Sequence, residues 1–348
     1  MSTVIVTSHR STSLQKVSND IKTALESNGR EVKNILGFPS VRSSDYANCR
    51  NVLFVMTFDT IWARPYFCAY YLLKSDGWNT IFYTTIEGKP LRFLGDEWIY
   101  RECEFIANSN YTKKKIAKEG GRVLDVIHHG IDTRKYRNLK FMGRIMRSEL
   151  GASEKEFIVL YIAGGYRRKG HDLFRSVIQY VGKKDNTIKF VVVTQPNAIQ
   201  YYADLENCIV SDEFGNLPEE KIIGLFHACD LYAQPSLSEG FGLPVLEALA
   251  CGKVVVHPDY EPLSEITTKS TSYRCKVATV SEWSGEREEH TGIIYELHLY
   301  DPNEFGDLII QAKDELMKER KEKERLCLNR AKQFDMHKTY KKFLKYIQ

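Results

Sequence analysis

The chain has 348 residues, of which 43% are hydrophobic and 27% charged, and its formal net charge is +4. This length exceeds what one hydrophobic core usually serves, so we expect two domains of roughly 150 residues each, and the composition excludes wholesale disorder. No window approaches the roughly 18 uncharged apolar residues of a membrane helix, which excludes a membrane-spanning protein. The eight cysteines contain no CxxC pair, so neither a zinc site nor a disulfide framework is indicated.

The first half of the chain alternates short apolar runs with helical segments. This alternation predicts parallel strands joined by crossover helices. We expect strands at residues 4–7, 31–35, 52–58, 80–84 and 105–108. We expect helices at residues 14–27, 62–75, 91–101 and 111–119.

The second half repeats this pattern after a linker at residues 140–153, with a single continuous sheet as the alternative. The predicted strands are residues 157–163, 188–194, 231–233 and 253–257. The predicted helices are residues 171–180, 218–228 and 244–250, and everything from residue 301 onward is helical. The last helix carries an apolar stripe that must be buried: Phe334, Tyr340, Phe343, Leu344 and Ile347.

Positive charge is concentrated in two stretches. Residues 101–147 and 313–348 each contain twelve Lys or Arg, against five and six Asp or Glu. Solvated helix faces explain both stretches, and peripheral contact with phosphates or an anionic membrane surface is the alternative. The basic residues are not interleaved with aromatic residues as in RNA-binding motifs, so we expect no nucleic-acid partner. Residues 1–9 lack the features of a signal peptide, which favours a cytoplasmic protein.

The densest group of chemically informative residues is the glycine-rich segment at 235–252. Gly240 and Gly242 permit close approach of a ligand to bare backbone, and Pro244 suits a first helical turn. Free N–H groups and the helix dipole at that point favour an anion such as a diphosphate.

Two carboxylates, Glu239 and Glu247, bracket this turn. We expect Glu239 on the loop and Glu247 in the first helical turn, where both can accept hydrogen bonds from the hydroxyls of a ligand whose phosphates lie between them. The structural alternative is that Glu247 compensates the helix dipole while the glycines form a tight turn, which explains only one of the two carboxylates.

The segment from Glu239 to Glu247 resembles the E-x7-E motif of the retaining nucleotide-sugar glycosyltransferases of family 4, which have the GT-B fold. Further segments that resemble the family are residues 108–132, 164–170, 230–236 and 330–334. The resemblance implies an α/β fold with two Rossmann-like, doubly wound parallel-sheet domains facing across a cleft. Residues 1–150 would bind the acceptor and residues 151–330 the nucleotide-sugar donor, with a C-terminal helix at 331–348 packing back on the first domain.

The same resemblance implies roles for individual residues of the second half. Glu239 would face the hydroxyls of the donor sugar and Glu247 the ribose. Lys169 would hold the diphosphate together with Arg168 or, failing that, Arg167. Backbone groups and small residues nearby would complete the donor site: Gly165, Phe241, Gly242, Leu243 and Pro244. For the Arg and Lys residues the alternative is a surface pair that contacts nothing.

In the first half the candidates are Ser11, Glu87 and a group of aromatic residues. Ser11, with Arg10, would replace the family's glycine amides near the phosphate, and a plain helix cap is the alternative. Glu87 would contact the donor sugar or remain a solvated turn residue. His129 would orient the hinge or simply pack. The aromatic residues would stack on acceptor sugars or form a helix core: Trp62, Tyr66, Tyr70, Tyr71 and Trp98.

These assignments predict a retaining hexosyltransferase that moves glucose or mannose from a UDP- or GDP-sugar to a hydroxyl of a glycan, glycoprotein or glycolipid. We expect no cofactor beyond the donor and no metal, since the chain has no Asp-x-Asp motif. The alternatives are a nucleotide-sugar epimerase or hydrolase of the same fold and a non-catalytic carbohydrate- or nucleic-acid-binding protein. An NAD oxidoreductase is disfavoured because neither half has Gly-x-Gly-x-x-Gly after its first strand.

Overall fold

The structure is a computed structural model that describes residues 2–8, 11–40, 46, 49–59, 61–91, 95–153, 156–285 and 292–347. In the first half its elements are β1 (Ser2–Thr7), α1 (Thr12–Glu26), β2 (Val32–Leu36), β3 (Cys49–Thr57), α2 (Arg64–Ser75), β4 (Asn79–Thr85), β5 (Gly88–Pro90), α3 (Glu97–Glu102), β6 (Glu104–Ala107), α4 (Asn110–Lys118), β7 (Arg122–Val126), α5 (Thr133–Asn138) and α6 (Met142–Glu149).

The first sheet has six strands in the order β2-β1-β3-β4-β6-β7, all paired in parallel. Its central strands are buried on both faces, which explains their nearly continuous apolar sequence. The α1 helix covers one face with Leu14, Val17, Ile21 and Leu25, which recur at helical spacing. The five predicted strands of this half are all present.

In the second half the elements are β8 (Phe157–Ile162), α7 (His171–Lys184), β9 (Ile188–Val193), β10 (Cys208–Ser211), α8 (Glu219–Ala228), β11 (Leu231–Ala233), α9 (Leu243–Ala250), β12 (Val254–Pro258), α10 (Leu263–Ile266), β13 (Ser272–Cys275), β14 (Val277–Trp283), β15 (Ile293–Tyr300), α11 (Pro302–Ala331) and α12 (Met336–Tyr340). The second sheet is also parallel, in the order β10-β9-β8-β11-β12-β13. The alternative of a single continuous sheet is therefore wrong.

A third, antiparallel sheet links the two halves. Its order is β14-β15-β5, so a hairpin of the second half pairs with a strand of the first. Neither this sheet nor β7, β10 and β13 were predicted. Most of these strands are short or half-exposed and mix polar with apolar residues. In β15, by contrast, Tyr295, Leu297 and Leu299 alternate with polar residues, which was an available signal.

The C-terminal segment returns to the first half, as the family resemblance implies, and this contact buries its apolar stripe. Tyr340 and Phe343 are buried in one cluster with residues of α1 and β4. The Tyr340 hydroxyl also accepts a hydrogen bond from the N–H of Gly130 (2.9 Å). This segment therefore packs against the first sheet after α11 has crossed the second.

Two predicted boundaries are wrong. The linker at residues 140–153 contains a helix, α6, whose Gly143 lies against His227 of α8 because only a residue without a side chain fits there. The helix predicted at 91–101 begins at Glu97, after a turn at Gly95 that has φ = +89°. Local apolar content does not reveal such turns.

Candidate active site

The candidate residues converge where the carboxyl ends of the two parallel sheets face each other. Glu87 follows β4 and Asn108 follows β6, while Lys169 follows β8 and Glu239 follows β11. In open α/β sheets this edge is where ligands bind, because the loops there leave a crevice beyond the strand ends.

A short 3-10 turn, Arg167–Lys169, carries the three cations of the first candidate segment. The Lys169 carbonyl accepts a hydrogen bond from the Tyr161 hydroxyl (2.6 Å), and the Arg168 carbonyl accepts one from the N–H of Leu237 (2.8 Å). The turn is thereby fixed to the loop that contains Glu239.

Lys169 and Glu239 form an ion pair in which Nζ lies 2.6 Å from Oε1, with both side chains mostly buried. The Gln234 amide donates a second hydrogen bond to the same oxygen (2.9 Å). Burial alone would raise the pKa of Glu239, but Lys169 and then Arg168 outweigh it and hold that pKa below its usual value. Burial lowers the pKa of Lys169. Glu239 is thus an ionised acceptor at the floor of the cleft.

Arg168 forms the second ion pair of the site, with a residue of the other half of the chain. Its Nη2 lies 3.0 Å from Oε2 of Glu87. The guanidinium also lies over the rings of Tyr166 and Tyr295, at 5.3 and 5.6 Å from their centroids. Arg167 points elsewhere and lies 5.5 Å from the ring of Trp283. Glu87 is therefore not a solvated turn residue.

The glycine-rich turn brings the backbone of the second half against the first. A side chain at Gly240 would place its Cβ 2.2 Å from Oγ1 of Thr85, so only glycine allows this approach. The Gly240 carbonyl accepts a hydrogen bond from the Asn108 amide (3.2 Å). Gly242 has φ = +100° and directly precedes Leu243, where α9 begins. Pro244 is the second residue of the helix.

Glu247 lies in the second turn of α9 rather than in the first, because the helix begins one residue earlier than expected. The expectation of a first-turn carboxylate is therefore wrong. Its Oε1 accepts a hydrogen bond from the Tyr136 hydroxyl (2.6 Å) and lies 3.9 Å from Nζ of Lys16. The two glutamates of the motif thus have separate sets of neighbours.

The remaining candidates are distributed around this centre. Ser11 caps α1, with its hydroxyl accepting from the N–H of Leu14 (3.3 Å), and it also lines a cavity in the first half. The N–H of Gly165 donates to the Gln195 side chain (2.8 Å). Phe241 is buried with its ring centroid 4.9 Å from that of His129. Arg10 lies outside the described residues.

His129 has the packing role that the sequence analysis gave as one of two alternatives. Its Nδ1 lies 2.8 Å from the Tyr83 hydroxyl, which donates to the Ile127 carbonyl, and its Nε2 lies 3.2 Å from the Asn108 amide. Burial lowers the pKa of His129 to about 3. The ring is therefore a neutral bridge between β4 and the loop after β6.

Sequence reasoning missed several side chains that complete the site. Gln234 orients Glu239, and its own carbonyl oxygen accepts from the Tyr232 hydroxyl (2.7 Å). A polar residue directly after a buried strand was the available signal for Gln234. Nothing local distinguished Tyr295 or Trp283, because both reach the arginines through the hairpin of β14 and β15.

Neither a cluster of metal ligands nor a membrane-spanning helix occurs in the part of the chain that the structure describes. Within it, no three His, Cys, Asp or Glu side chains are grouped as metal ligands would be. The described helices include none that is both long and apolar enough to span a membrane.

Comparison with known proteins agrees with this architecture. Residues 144–281 match the family model described as glycosyl transferases group 1. The chain is 27% identical to an uncharacterized glycosyltransferase of Sulfolobus islandicus rod-shaped virus 1, over 99% of this chain and 100% of the relative.

Two solved structures are similar over nearly the whole chain. One is a glycosyltransferase from Rickettsia africae, with a TM-score of 0.72 at 13% sequence identity. The similarity covers 99% of this chain and 97% of that protein's chain. Anabaena HepE, solved in complex with UDP and glucose, has a TM-score of 0.67 at 15% identity and covers 99% and 98%. The chain therefore has the predicted fold class, GT-B, with two parallel-sheet α/β domains and a C-terminal helix.

Proposed function

We propose that this chain, whose family match and relatives support glycosyl transfer, is a retaining hexosyltransferase that moves glucose or mannose from a UDP- or GDP-sugar to an acceptor hydroxyl. The observation that carries the proposal is the buried pair of Lys169 and Glu239, which lies beside Arg168 in the crevice between the two sheets. This crevice offers cations to a diphosphate and an ionised carboxylate to sugar hydroxyls.

The diphosphate gains negative charge as the glycosidic bond breaks. Lys169 and Arg168 would stabilise that charge, together with the backbone N–H groups of Phe241 and Leu243 at and just before the start of α9. In the protein without donor, each cation is paired with a carboxylate, Glu239 or Glu87. A bound diphosphate would take over these cations while the carboxylates turn to the sugar hydroxyls.

Retention is proposed to proceed by attack on the same face as the leaving group. The acceptor oxygen bonds to the anomeric carbon as the bond from that carbon to the diphosphate oxygen breaks, and the acceptor proton passes to that oxygen. A double displacement would instead need a carboxylate free to attack the sugar.

The finer assignments of the donor site remain part of this proposal. Glu247 would bind the ribose, with Tyr136 and Lys16 fixing its carboxylate. Gly165 and Gly242 would allow close approach of the diphosphate, and Arg167 would be a third cation near it, after Lys169 and Arg168. We also propose the division into an acceptor domain (1–150), a donor domain (151–330) and a returning C-terminal segment (331–348), which the separate sheets support.

The acceptor is proposed to be a glycan, a glycoprotein or a glycolipid bound mainly by the first half of the chain. Contact of the basic stretch 101–147 with an anionic membrane stays a prediction. Unchanged sedimentation of the protein with anionic liposomes at low salt would contradict it.

A donor panel tests the function directly. UDP-, GDP- and ADP-sugars, each with EDTA and with added Mg²⁺, would be compared by thermal stabilisation and by nucleotide release, for the natural chain and Glu239→Gln. UDP-glucose is the first donor to test, because HepE was solved with UDP and glucose. We expect one donor to raise the Tm and to be cleaved equally in EDTA, with much slower cleavage by the variant. Failure of every nucleotide sugar to bind would overturn the proposal.

A further inference from the structure

We propose that the cavity at the carboxyl ends of β1 and β3 is the acceptor pocket and that it takes an amphiphilic alcohol, a hydroxyl-rich head joined to a hydrocarbon chain. This inference rests on the proposed function and adds the chemical class of the acceptor. Three features of the cavity support the inference: its polar floor, its apolar mouth and its place beside the donor crevice.

The cavity has a volume of about 320 Å³. This is within the range of small-molecule sites, about 300–1,000 Å³, and suits a head group the size of one sugar ring. Its polar lining comes from Ser8, Ser11, Thr57 and Asp59. Hydroxyls together with one carboxylate are the groups that hold a polyol, since they both donate and accept hydrogen bonds.

Asp59 is the distinctive residue of the floor. It is only 6% exposed, and its Oδ1 accepts hydrogen bonds from the N–H groups of Ile61 and Trp62 (2.7 and 2.8 Å). A carboxylate that is mostly buried yet lines the wall of a cavity offers a hydrogen-bond acceptor to a hydroxyl-bearing occupant.

The mouth of the same cavity is apolar. Phe38 and Trp62 line it although they are 58% and 52% exposed, and Leu36 and Ile61 stand next to them in the chain and are exposed as well. Single exposed apolar residues are ordinary, but two large ones at one opening, with Leu36 at the end of β2 and Ile61 exposed close by in the chain, indicate a surface that binds apolar matter. A free sugar would leave this rim in water, whereas a hydrocarbon chain attached to the head group would cover it.

The pocket lies next to the donor crevice along one sheet edge. Thr57 of β3 pairs with Thr85 of β4, and the N–H of Phe58 donates to the Thr85 carbonyl (2.7 Å). Thr85 is the residue that Gly240 approaches. Adjacent strands are about 5 Å apart, so a head group held by Asp59 is one strand away from Glu87 and the donor cluster.

The test compares n-octyl β-glucoside, below its critical micelle concentration, with glucose and with octyl sulfate. Binding to the full chain would be followed by titration calorimetry and thermal shift. We expect octyl glucoside to bind at least ten-fold more tightly than either single-feature compound. Equal binding of octyl glucoside and octyl sulfate would overturn the inference, because it would show a non-specific detergent surface. Equal binding of octyl glucoside and glucose would also overturn it.

The chain offers a matched pair of variants. Phe38→Ser/Ile61→Ser removes Phe38 from the rim and Ile61 beside Trp62 in the chain, which are 58% and 40% exposed, and Phe141→Ser/Ile145→Ser removes the same residue types at the start of α6 at 59% and 44% exposure. The first variant should lose the ten-fold preference and the second should keep it. Asp59→Asn should weaken the binding of octyl glucoside without lowering the Tm, since the amide oxygen can still accept from both N–H groups.

Donor binding is measured in the same variants so that two failures can be distinguished. If the donor stabilises the protein normally but octyl glucoside binds no more tightly than glucose or octyl sulfate, only the proposed class of acceptor is overturned. Absence of donor binding would overturn the proposed function, whatever the glucoside does.

Discussion

The Arg168 guanidinium and the Glu87 carboxylate form an ion pair of 3.0 Å that joins the loop after β8 to the loop after β4. The pair connects the two halves of the chain at the point where the proposed donor binds. Because Arg168 cannot serve Glu87 and a diphosphate with the same N–H groups, this contact competes with the donor.

Glu87→Gln is therefore expected to tighten the binding of UDP or GDP several-fold, because the neutral amide releases Arg168. If Glu87 also contacts the donor sugar, kcat should fall in the same variant. Titration calorimetry with the nucleoside diphosphate measures the first effect and initial rates measure the second.

The control for this prediction is Glu282→Gln, which removes the exposed ion pair with Lys89 in the hairpin sheet. Exposed pairs contribute little, so nucleotide affinity should not change. Weaker nucleotide binding by Glu87→Gln would contradict the competition between Glu87 and the diphosphate.

Glu239→Gln should lower kcat/KM for the donor by about 10- to 150-fold, the loss of one charge-assisted hydrogen bond of about 1.5–3 kcal/mol. The reason is that the amide cannot accept as strongly from both the sugar and Lys169. Initial-rate kinetics with the donor found in the panel measure the effect. Glu247→Gln leaves the pair of Lys169 and Glu239 intact and serves as the comparison. An identical loss of kcat/KM in both variants would mean that neither carboxylate has a distinct role.

The pair of Lys169 and Glu239 should also be visible in stability. Lys169→Met leaves Glu239 buried without its cation and is expected to cost about 3–5 kcal/mol in the free energy of unfolding. The double variant Lys169→Met/Glu239→Gln should recover much of that loss, because no uncompensated charge remains. Urea unfolding of the natural chain, the two single variants and the double variant gives the coupling free energy between Lys169 and Glu239. Strictly additive losses of stability would rule out a direct interaction between them.

Gly240→Ala should destabilise the contact between the two halves by roughly 1–3 kcal/mol, since its Cβ would lie 2.2 Å from Oγ1 of Thr85. Thr85→Ala removes that oxygen, so the double variant should be more stable than Gly240→Ala alone. Thermal unfolding of the four proteins completes the cycle. If Thr85→Ala brings no recovery, the close approach does not occur in solution.

Asp59 predicts a pH dependence. Burial raises its pKa from 3.8 to about 6, so the folded protein binds this proton more tightly than the unfolded chain does. Its stabilising effect is complete below about pH 4 and is lost as the pH rises through 6, a difference of about 3 kcal/mol. Asp59→Asn does not titrate and should therefore gain stability relative to the natural chain between pH 4 and 7. Urea unfolding of both proteins between pH 4 and 7 tests this prediction. If the free energy of unfolding depends on pH in the same way in both proteins, the pKa of Asp59 is not raised.

The sequence by itself determined the two parallel α/β halves and most of the segments that carry the candidate site. Apolar runs of strand length identified the central strands, because a parallel strand buried on both faces has no polar alternation. The glycine-rich segment at 235–252 located the turn before α9. Two glycines, Gly240 and Gly242, directly before a predicted helix are typical of a tight turn. The residues after strand ends, such as Lys169 and Glu239, then share one edge of a sheet by topology alone.

Only the tertiary structure decided which of these residues meet. Arg168 rather than Arg167 pairs with Glu87, and Glu247 pairs with Tyr136 rather than with the cluster around Glu239. The hairpin of β14 and β15 brings Tyr295 to Arg168 across more than a hundred residues of chain. Such contacts depend on how the two halves close on each other, and no local propensity or spacing in a single sequence encodes that geometry.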